Sequence, residues 1–118
     1  MKENILKTKS YSFALQTINI CRKLQDNKEF ILSKQLLRSA TSVGANIREA
    51  NNAQSKADFI HKLSISIKEC DESQYWLELL KDSLYIVEED FLILHNEAIE
   101  IHRLLTRIII TTKQNFKS

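Results

Sequence analysis

The sequence predicts an all-α protein, an antiparallel up-down four-helix bundle, on three observations. Its 118 residues include one glycine and no proline, too few for the many tight turns of a β-sandwich or barrel. Hydrophobic residues make up 43% of the chain and recur at spacings of three and four, the period of an amphipathic helix. The connections between these periodic segments are short, about three to five residues, which makes neighbouring helices antiparallel. We expect one domain over residues 1–118, with a basic tail at 1–9 and a frayed end at 115–118.

The first two helices are expected at about residues 10–24 and 28–51. Asp26 and Glu29, three positions apart, resemble a capping box at the start of the second helix. The predicted inward stripe of the first helix is Tyr11, Ala14, Ile18 and Cys21. That of the second helix is Leu36, Ala40, Val43, Ile47 and Ala50.

The third helix is expected to begin after Ser55, with Asp58 completing its cap, and to end at about Leu84. Its inward stripe is Leu63, Cys70, Leu77 and Leu84. The fourth helix follows the acidic run 88–90, which suits a helix N-terminus, and extends to about residue 114. Its inward stripe is Phe91, Leu94, Ala98, Ile101, Leu105 and Ile108.

Gly44 lies inside the second helix, where it should cost about 1 kcal/mol relative to alanine. One interpretation is a left-handed cap that ends the helix. We favour close helix packing at Ala40, Gly44 and Ala45, because the apolar spacing continues unbroken to Ala50. A polar row beside this strip is typical of a hydrogen-bonded seam: Gln35, Ser39, Ser42, Asn46 and Glu49.

Six apolar residues lie away from the predicted inward stripes of helices three and four: Ile65, Trp76, Leu79, Leu92, Ile99 and Ile110. Scattered surface hydrophobes are one explanation, and membrane-surface binding is another. We expect no membrane contact, since this side carries Glu72 and Glu100 and lacks a basic band. The favoured interpretation is an interface between copies of the chain.

Two blocks of the sequence resemble a known family. The first is FILSKQLLRSATSVGANIREA at residues 30–50, and the second comprises FIHKLSISIKEC at 59–70 and YWLELLK at 75–81. They resemble the proteins named "S23 ribosomal protein", also termed the intervening-sequence protein family of large-subunit ribosomal RNA genes. The similarity extends over about residues 10–112. The family often has a small residue where Arg48 stands.

This resemblance implies an antiparallel four-helix bundle that assembles as a ring-like homopentamer. It also implies kinship with the accessory variability determinant of diversity-generating retroelements, a basic pentamer that partners a reverse transcriptase and nucleic acid. The ribosomal name would then be a misnomer, derived from reading frames that lie in ribosomal RNA spacers.

Basic residues on the helix flanks are candidates for contact with RNA or DNA, or with a nucleic-acid-processing protein: Lys34, Arg38, Arg48, Arg103 and Arg107. Ring assembly would multiply each cluster of phosphate contacts. The alternative is that these residues only solubilise the bundle and pair with neighbouring carboxylates, because the net charge is only +2.

The sequence predicts no catalytic residue, no metal site and no cofactor. Asp58-x-x-His61 is a single near match to the Glu-x-x-His motif that a di-iron bundle needs twice, and His95 with His102 lack a third ligand. Cys21 and Cys70 are expected to be packing residues in a reducing cytoplasm. We therefore expect a non-catalytic homo-oligomeric scaffold; the alternative is a small metal- or thiol-dependent enzyme.

Overall fold

The structure is a computed structural model that describes residues 2–117, with side chains described for residues 5–115. It contains four helices: α1 (Lys2–Asp26), α2 (Ile31–Asn51), α3 (Lys56–Asp82) and α4 (Glu88–Lys117). Each helix packs on the next one along the chain, and α1 closes the bundle against α4. The bundle measures 52 × 21 × 20 Å. The predicted all-α, up-down four-helix bundle is confirmed.

The inward stripes of α2 and α4 match the prediction at every position. All five residues of the α2 stripe and all six of the α4 stripe are buried. In α3, Leu63, Cys70 and Leu77 are buried as expected. These three stripes form most of the core, because aliphatic side chains at three- and four-residue spacing share one helix face.

The prediction for α1 is wrong in both start and rotation. The helix begins at Lys2, so residues 2–9 are helical rather than a tail, and Leu6 anchors them in the core. Of the four residues expected inside, Cys21 alone is buried, while Tyr11 is 58% exposed. The observed inward face is Leu6, Ser10, Phe13, Thr17, Ile20, Cys21 and Leu24.

Two buried hydroxyl groups explain this error. Ser10 Oγ donates to the carbonyl of Lys7 (3.1 Å), and Thr17 Oγ1 donates to that of Phe13 (2.8 Å). A hydroxyl that bonds to its own helix can enter a core without an unpaired donor. A hydropathy pattern scores both residues as polar and therefore rotates the helix by about one residue, or 100°.

The starts of α2 and α3 are held differently. Glu29, rather than a capping box with Asp26, holds the first turn of α2: the N–H of Ser33 donates to Glu29 Oε1 and Ser33 Oγ donates to the Glu29 carbonyl, both at 2.8 Å. Asp26 belongs to the last turn of α1. At α3 the N–H of Asp58 donates to Ser55 Oγ at 3.0 Å, which confirms Ser55 as the predicted cap.

The helices α1 and α3 end in the same way. The residues Lys28 and Leu84 have positive φ angles of 65° and 67°. In each case the N–H of the following residue donates back to the helix, to the carbonyl of Leu24 (2.8 Å) or of Leu80 (2.9 Å). This is the Schellman arrangement, in which glycine is the usual left-handed residue. A lysine or leucine there costs about 1 kcal/mol in backbone strain.

The sequence-based prediction that Leu84 lies in the core is therefore wrong. The helix α3 ends at Asp82, and Leu84 is 89% exposed in the connection to α4 instead of buried in the core. At the other terminus α4 continues to Lys117 past the expected frayed end; Ser118 lies outside the described residues.

Gly44 lies in the middle of α2, and its φ is not positive, so the alternative of a left-handed cap is excluded. A Cβ at this position would lie 3.4 Å from Ser10 Oγ and 3.6 Å from the Ser10 carbonyl oxygen. Ala40 is buried, whereas Ala45 is exposed. The close approach is therefore between α2 and α1, with Gly44 opposite Ser10.

Candidate functional surfaces

The two cysteine thiols are buried and unpaired with each other. Cys21 Sγ donates to the Ser33 carbonyl at 3.4 Å, and Cys70 Sγ donates to the Ala98 carbonyl at 3.0 Å. Burial raises the pKa of Cys21 to about 11 and that of Cys70 to about 12. Both are held as thiols near neutral pH, and a thiol is a poor nucleophile compared with its thiolate.

The histidines on α4 each contact one carboxylate of α3. His95 Nε2 lies 2.9 Å from Glu78 Oε2, and His102 Nε2 lies 3.3 Å from Asp71 Oδ1. These contacts join α3 to α4 on the bundle surface. Within the described residues, no group of three or more His, Cys, Asp or Glu side chains is placed to hold a metal ion.

The five candidate nucleic-acid residues do not form one patch. Arg38 pairs with Glu69 (3.3 Å) and with Glu72 on α3, and the hydrogen bond to Glu72 raises the pKa of its guanidinium. Arg48 lies on the other flank of α2, beside α1. Arg103 lines the groove between α3 and α4. The charge of Arg38 is thus matched by acids within the bundle.

The other four candidates have no carboxylate partner among the described side chains. No carboxylate among the described side chains lies within 4.0 Å of the charged nitrogens of Lys34, Arg48, Arg103 or Arg107. These four are exposed to solvent. They lie on α2 and α4, which do not pack against each other, so the neighbouring Arg103 and Arg107, one turn apart on α4, are separate from Lys34 and Arg48.

A groove between α1 and α2 brings Arg48 together with residues that the sequence did not single out as a site. It has a volume of about 360 Å³ and runs over Gly44, with Lys7 and Tyr11 on the α1 side. A second concavity of about 450 Å³ is lined by Lys7, Thr8, Tyr11 and Arg48. This grouping was not predictable from the apolar spacing of α1, which places Tyr11 in the core.

The six candidate interface residues divide between two faces. Trp76 is half-buried, and its Nε1 donates to Glu72 Oε1 (3.1 Å), the carboxylate that Arg38 contacts, so it lies on the α2 side of α3. Ile65 and Leu79 share that flank by helical spacing. Ile99 lines the groove between α3 and α4, and Leu92 and Ile110 share its flank of α4.

Exposure also differs among the six. Leu79, Leu92 and Ile110 are exposed by 36 to 51%, whereas Ile65, Trp76 and Ile99 are half-buried within the subunit. Trp76 additionally packs against the core cluster. The helix α1 carries three further exposed apolar side chains, Ile5, Tyr11 and Leu15, which were not predicted to form a surface.

Comparison with known proteins relates the chain to one family. Residues 2–107 match the family model described as 23S rRNA-intervening sequence protein. A crystal structure of a protein of unknown function from the S23 ribosomal protein family of Bacteroides thetaiotaomicron is 52% identical. The alignment covers 92% of this chain and 98% of that chain, with a TM-score of 0.90.

Comparison with curated proteins gives no match. No helix in the described part of the chain is long and apolar enough to cross a bilayer. The family model extends over most of the chain, and the Bacteroides protein shares its fold and half of its residues. The chain therefore belongs to the 23S rRNA-intervening sequence protein family, also named the S23 ribosomal protein family.

Proposed function

We propose that this protein is a non-catalytic scaffold that assembles as a homo-oligomer, with the ring-like homopentamer implied by the family resemblance as its form. One observation carries the proposal: apolar side chains remain exposed on the outer faces of α3 and α4 after the core is complete. Leu79, Leu92 and Ile110 are the most exposed members of the six-residue set. Burying such side chains stabilises an assembly by about 25 cal/mol for each Å² of apolar surface removed from water.

The division of these residues between two faces supports a ring. A closed ring uses a head-to-tail contact, in which one patch of each subunit meets a different patch of the next. The α2 side of α3, with Trp76 and Leu79, offers one patch, and the outer flank of α4, with Leu92 and Ile110, offers another. A two-fold dimer would need only one self-complementary patch.

The contacts of the cysteines and of the α4 histidines support a non-catalytic role. The thiols of Cys21 and Cys70 donate to carbonyls between helices and have raised pKa values. His95 and His102 each contact a single carboxylate on the neighbouring helix. All four side chains are accounted for by helix packing, so we do not propose the metal- or thiol-dependent enzyme. Free thiols are also typical of a reducing cytoplasm.

The assembly is tested with Leu92→Glu and a matched control, Ile93→Glu. Both residues are exposed to similar degrees at the start of α4, but Ile93 lines the groove toward α1. A glutamate at position 92 would bury an unpaired charge in the contact, so we expect sedimentation to show dissociation at micromolar concentration. Ile93→Glu should remain assembled. Wild-type protein that sediments as a monomer at this concentration contradicts the proposal.

Trp76 provides an independent readout. It is the only tryptophan, and it is half-buried in the single subunit. Dissociation of an interface on the α2 side of α3 exposes the indole further, which should move its emission to longer wavelength. Trp76→Glu should also dissociate the assembly while keeping most of the helical circular dichroism. Assembled Trp76→Glu protein would show that this flank of α3 is not an interface.

Contact with nucleic acid, or with a nucleic-acid enzyme as kinship with the accessory variability determinant implies, is the second part of the proposal. It depends on the unmatched cations Lys34, Arg48, Arg103 and Arg107 rather than on Arg38. In a ring each of them is repeated around the assembly, which raises avidity for a phosphate backbone. Mobility shift with structured RNA and duplex DNA over a range of salt concentrations tests it. If neither RNA nor DNA binds at low salt, the nucleic-acid part of the proposal is wrong, and the proposal of a homo-oligomeric scaffold is unaffected.

A further inference from the structure

One end of the bundle is unusually apolar. The α1–α2 and α3–α4 connections both lie there, and we refer to residues 27–31 and 83–87 together as the two-loop end. Five of its apolar side chains are exposed by 48 to 89%: Phe30, Ile31, Leu84, Tyr85 and Val87. The bundle is only about 20 Å wide, so these side chains share one small surface. Several exposed apolar side chains on one small surface typically mark an interaction site.

The backbone at this end adopts a strained conformation at a residue whose apolar side chain is exposed. Leu84 occupies the left-handed position of a Schellman motif, where glycine would be free of strain. Its side chain gains little within the subunit, since it is 89% exposed. A residue that is unfavourable for its backbone conformation and does not stabilise the fold in return is expected at functional positions.

The same end is acidic. Residues 23–31 and 81–90 contain three basic and six acidic residues, a net charge of −3. At the opposite end, residues 5–9, 45–58 and 107–113 contain six basic and two acidic residues, a net charge of +4. The bundle is thus polarised along its long axis, and the apolar side chains coincide with the negative end.

The combination of apolar side chains and negative charge limits which kind of partner can bind at the two-loop end. A second two-loop end would bring like charges together, which disfavours association. An anionic membrane surface would be repelled for the same reason. The opposite end of another copy is basic, but its loop, residues 51–55, has no large apolar side chain, and of their large apolar side chains residues 5–9, 45–58 and 107–113 expose only Ile5 and Ile110, against five at the two-loop end. An occupant must supply both positive charge and apolar side chains.

We propose that the two-loop end is a docking surface for a basic amphipathic helix of another protein. The apolar face of such a helix covers Leu84, Val87 and Ile31, and its Lys or Arg residues face the acidic rim at Asp82 and Glu89; the neighbouring Glu88 already pairs with Lys81 at 3.8 Å. Apolar burial supplies the affinity, and the opposite charges set the choice of partner. This surface borders the ring contact at Leu92, one turn along α4 from Glu89, but shares no residue with it.

The test uses two labelled synthetic peptides: an amphipathic helix of leucine and lysine, and its counterpart of leucine and glutamate. Fluorescence anisotropy at physiological ionic strength should show binding of the lysine peptide. The glutamate peptide should bind at least about tenfold more weakly, which corresponds to the loss of about 1.4 kcal/mol. Equal binding of both peptides, or binding of neither, overturns the proposal.

Two glycine variants locate the binding. Leu84→Gly removes the most exposed apolar side chain and also relieves the strain, so it should raise Tm by a few degrees while weakening the lysine peptide about tenfold. Lys28→Gly is the matched control: it relieves the same strain in the other loop without removing an apolar side chain. It should raise Tm similarly and leave binding undiminished. Equal peptide affinity for Leu84→Gly and wild type overturns the proposal.

Sedimentation separates this surface from the ring contacts. The Leu84→Gly protein should assemble like the wild type. If it loses assembly instead, the two-loop end contacts another copy of the chain, and the proposal of a foreign helix is wrong. Binding of wild-type protein to anionic vesicles that depends on Leu84 would likewise assign the surface to lipid.

Discussion

The helices α1 and α2 pack against each other as antiparallel neighbours and both bury hydroxyl side chains, but these interrupt the apolar stripe only in α1. The buried Ser33 and Ser39 of α2 lie before and beside its apolar stripe, which runs unbroken from Leu36 to Ala50. The buried stripe of α1 includes Ser10 and Thr17 between Leu6, Phe13 and Ile20. Each hydroxyl donates to a carbonyl of its own helix, so this face of α1 can be buried although its residues are scored as polar by hydropathy. Burial in this bundle therefore follows hydrogen-bond satisfaction as much as hydropathy.

The largest expected effect tests the rotation of α1. Phe13 is fully buried, and Phe13→Ala should lower the free energy of unfolding by about 3–5 kcal/mol through lost burial and the cavity left behind. Tyr11→Ala is the control: this aromatic ring lies two residues away and is 58% exposed. Its cost should be within about 0.5 kcal/mol, the usual range for surface sites. Urea unfolding measures both, and a larger cost for Tyr11 would mean that α1 is rotated toward the sequence-based prediction.

A smaller effect tests the contact between the two helices. Gly44→Leu adds a side chain whose Cβ already touches Ser10 Oγ at 3.4 Å, so the rest of the leucine must fit between Ser10 and the side chains that line the groove. We expect a loss of about 1–3 kcal/mol from overpacking. Ala45→Leu adds nearly the same bulk one residue later, at an exposed position, and should leave stability almost unchanged. Equal unfolding midpoints for the two variants would show that α2 does not approach α1 at Gly44.

The fold is predictable where the helix cap, the apolar spacing and the segment length all indicate the same structure. In α4 the acidic first turn, the aliphatic stripe and the length all indicate one helix with one inward face. In α3 the Ser55 cap is readable because its side chain acts on a neighbour three residues away. The termination of α3 was not predictable, because the left-handed position is occupied by Leu84 rather than glycine.

The candidate surfaces depend on contacts between helices, which spacing within one helix does not contain. Arg38 shares a flank of α2 with Lys34, but its partners Glu69 and Glu72 come from α3. Trp76 lies off the α3 stripe yet still packs against the core, because a large ring reaches sideways from its backbone position. The apolar two-loop end joins residues more than fifty positions apart and becomes visible only when the bundle is assembled.

The two buried thiols join different halves of the molecule. Cys21 on α1 donates to a carbonyl of α2, and Cys70 on α3 donates to a carbonyl of α4. Since a sulfur sealed in this way reacts with alkylating reagents only after the local structure opens, its modification rate reports the frequency of opening. The chain thus carries a pair of intrinsic reporters, one for each helical hairpin. Comparing their rates reveals whether the hairpins separate together or one at a time.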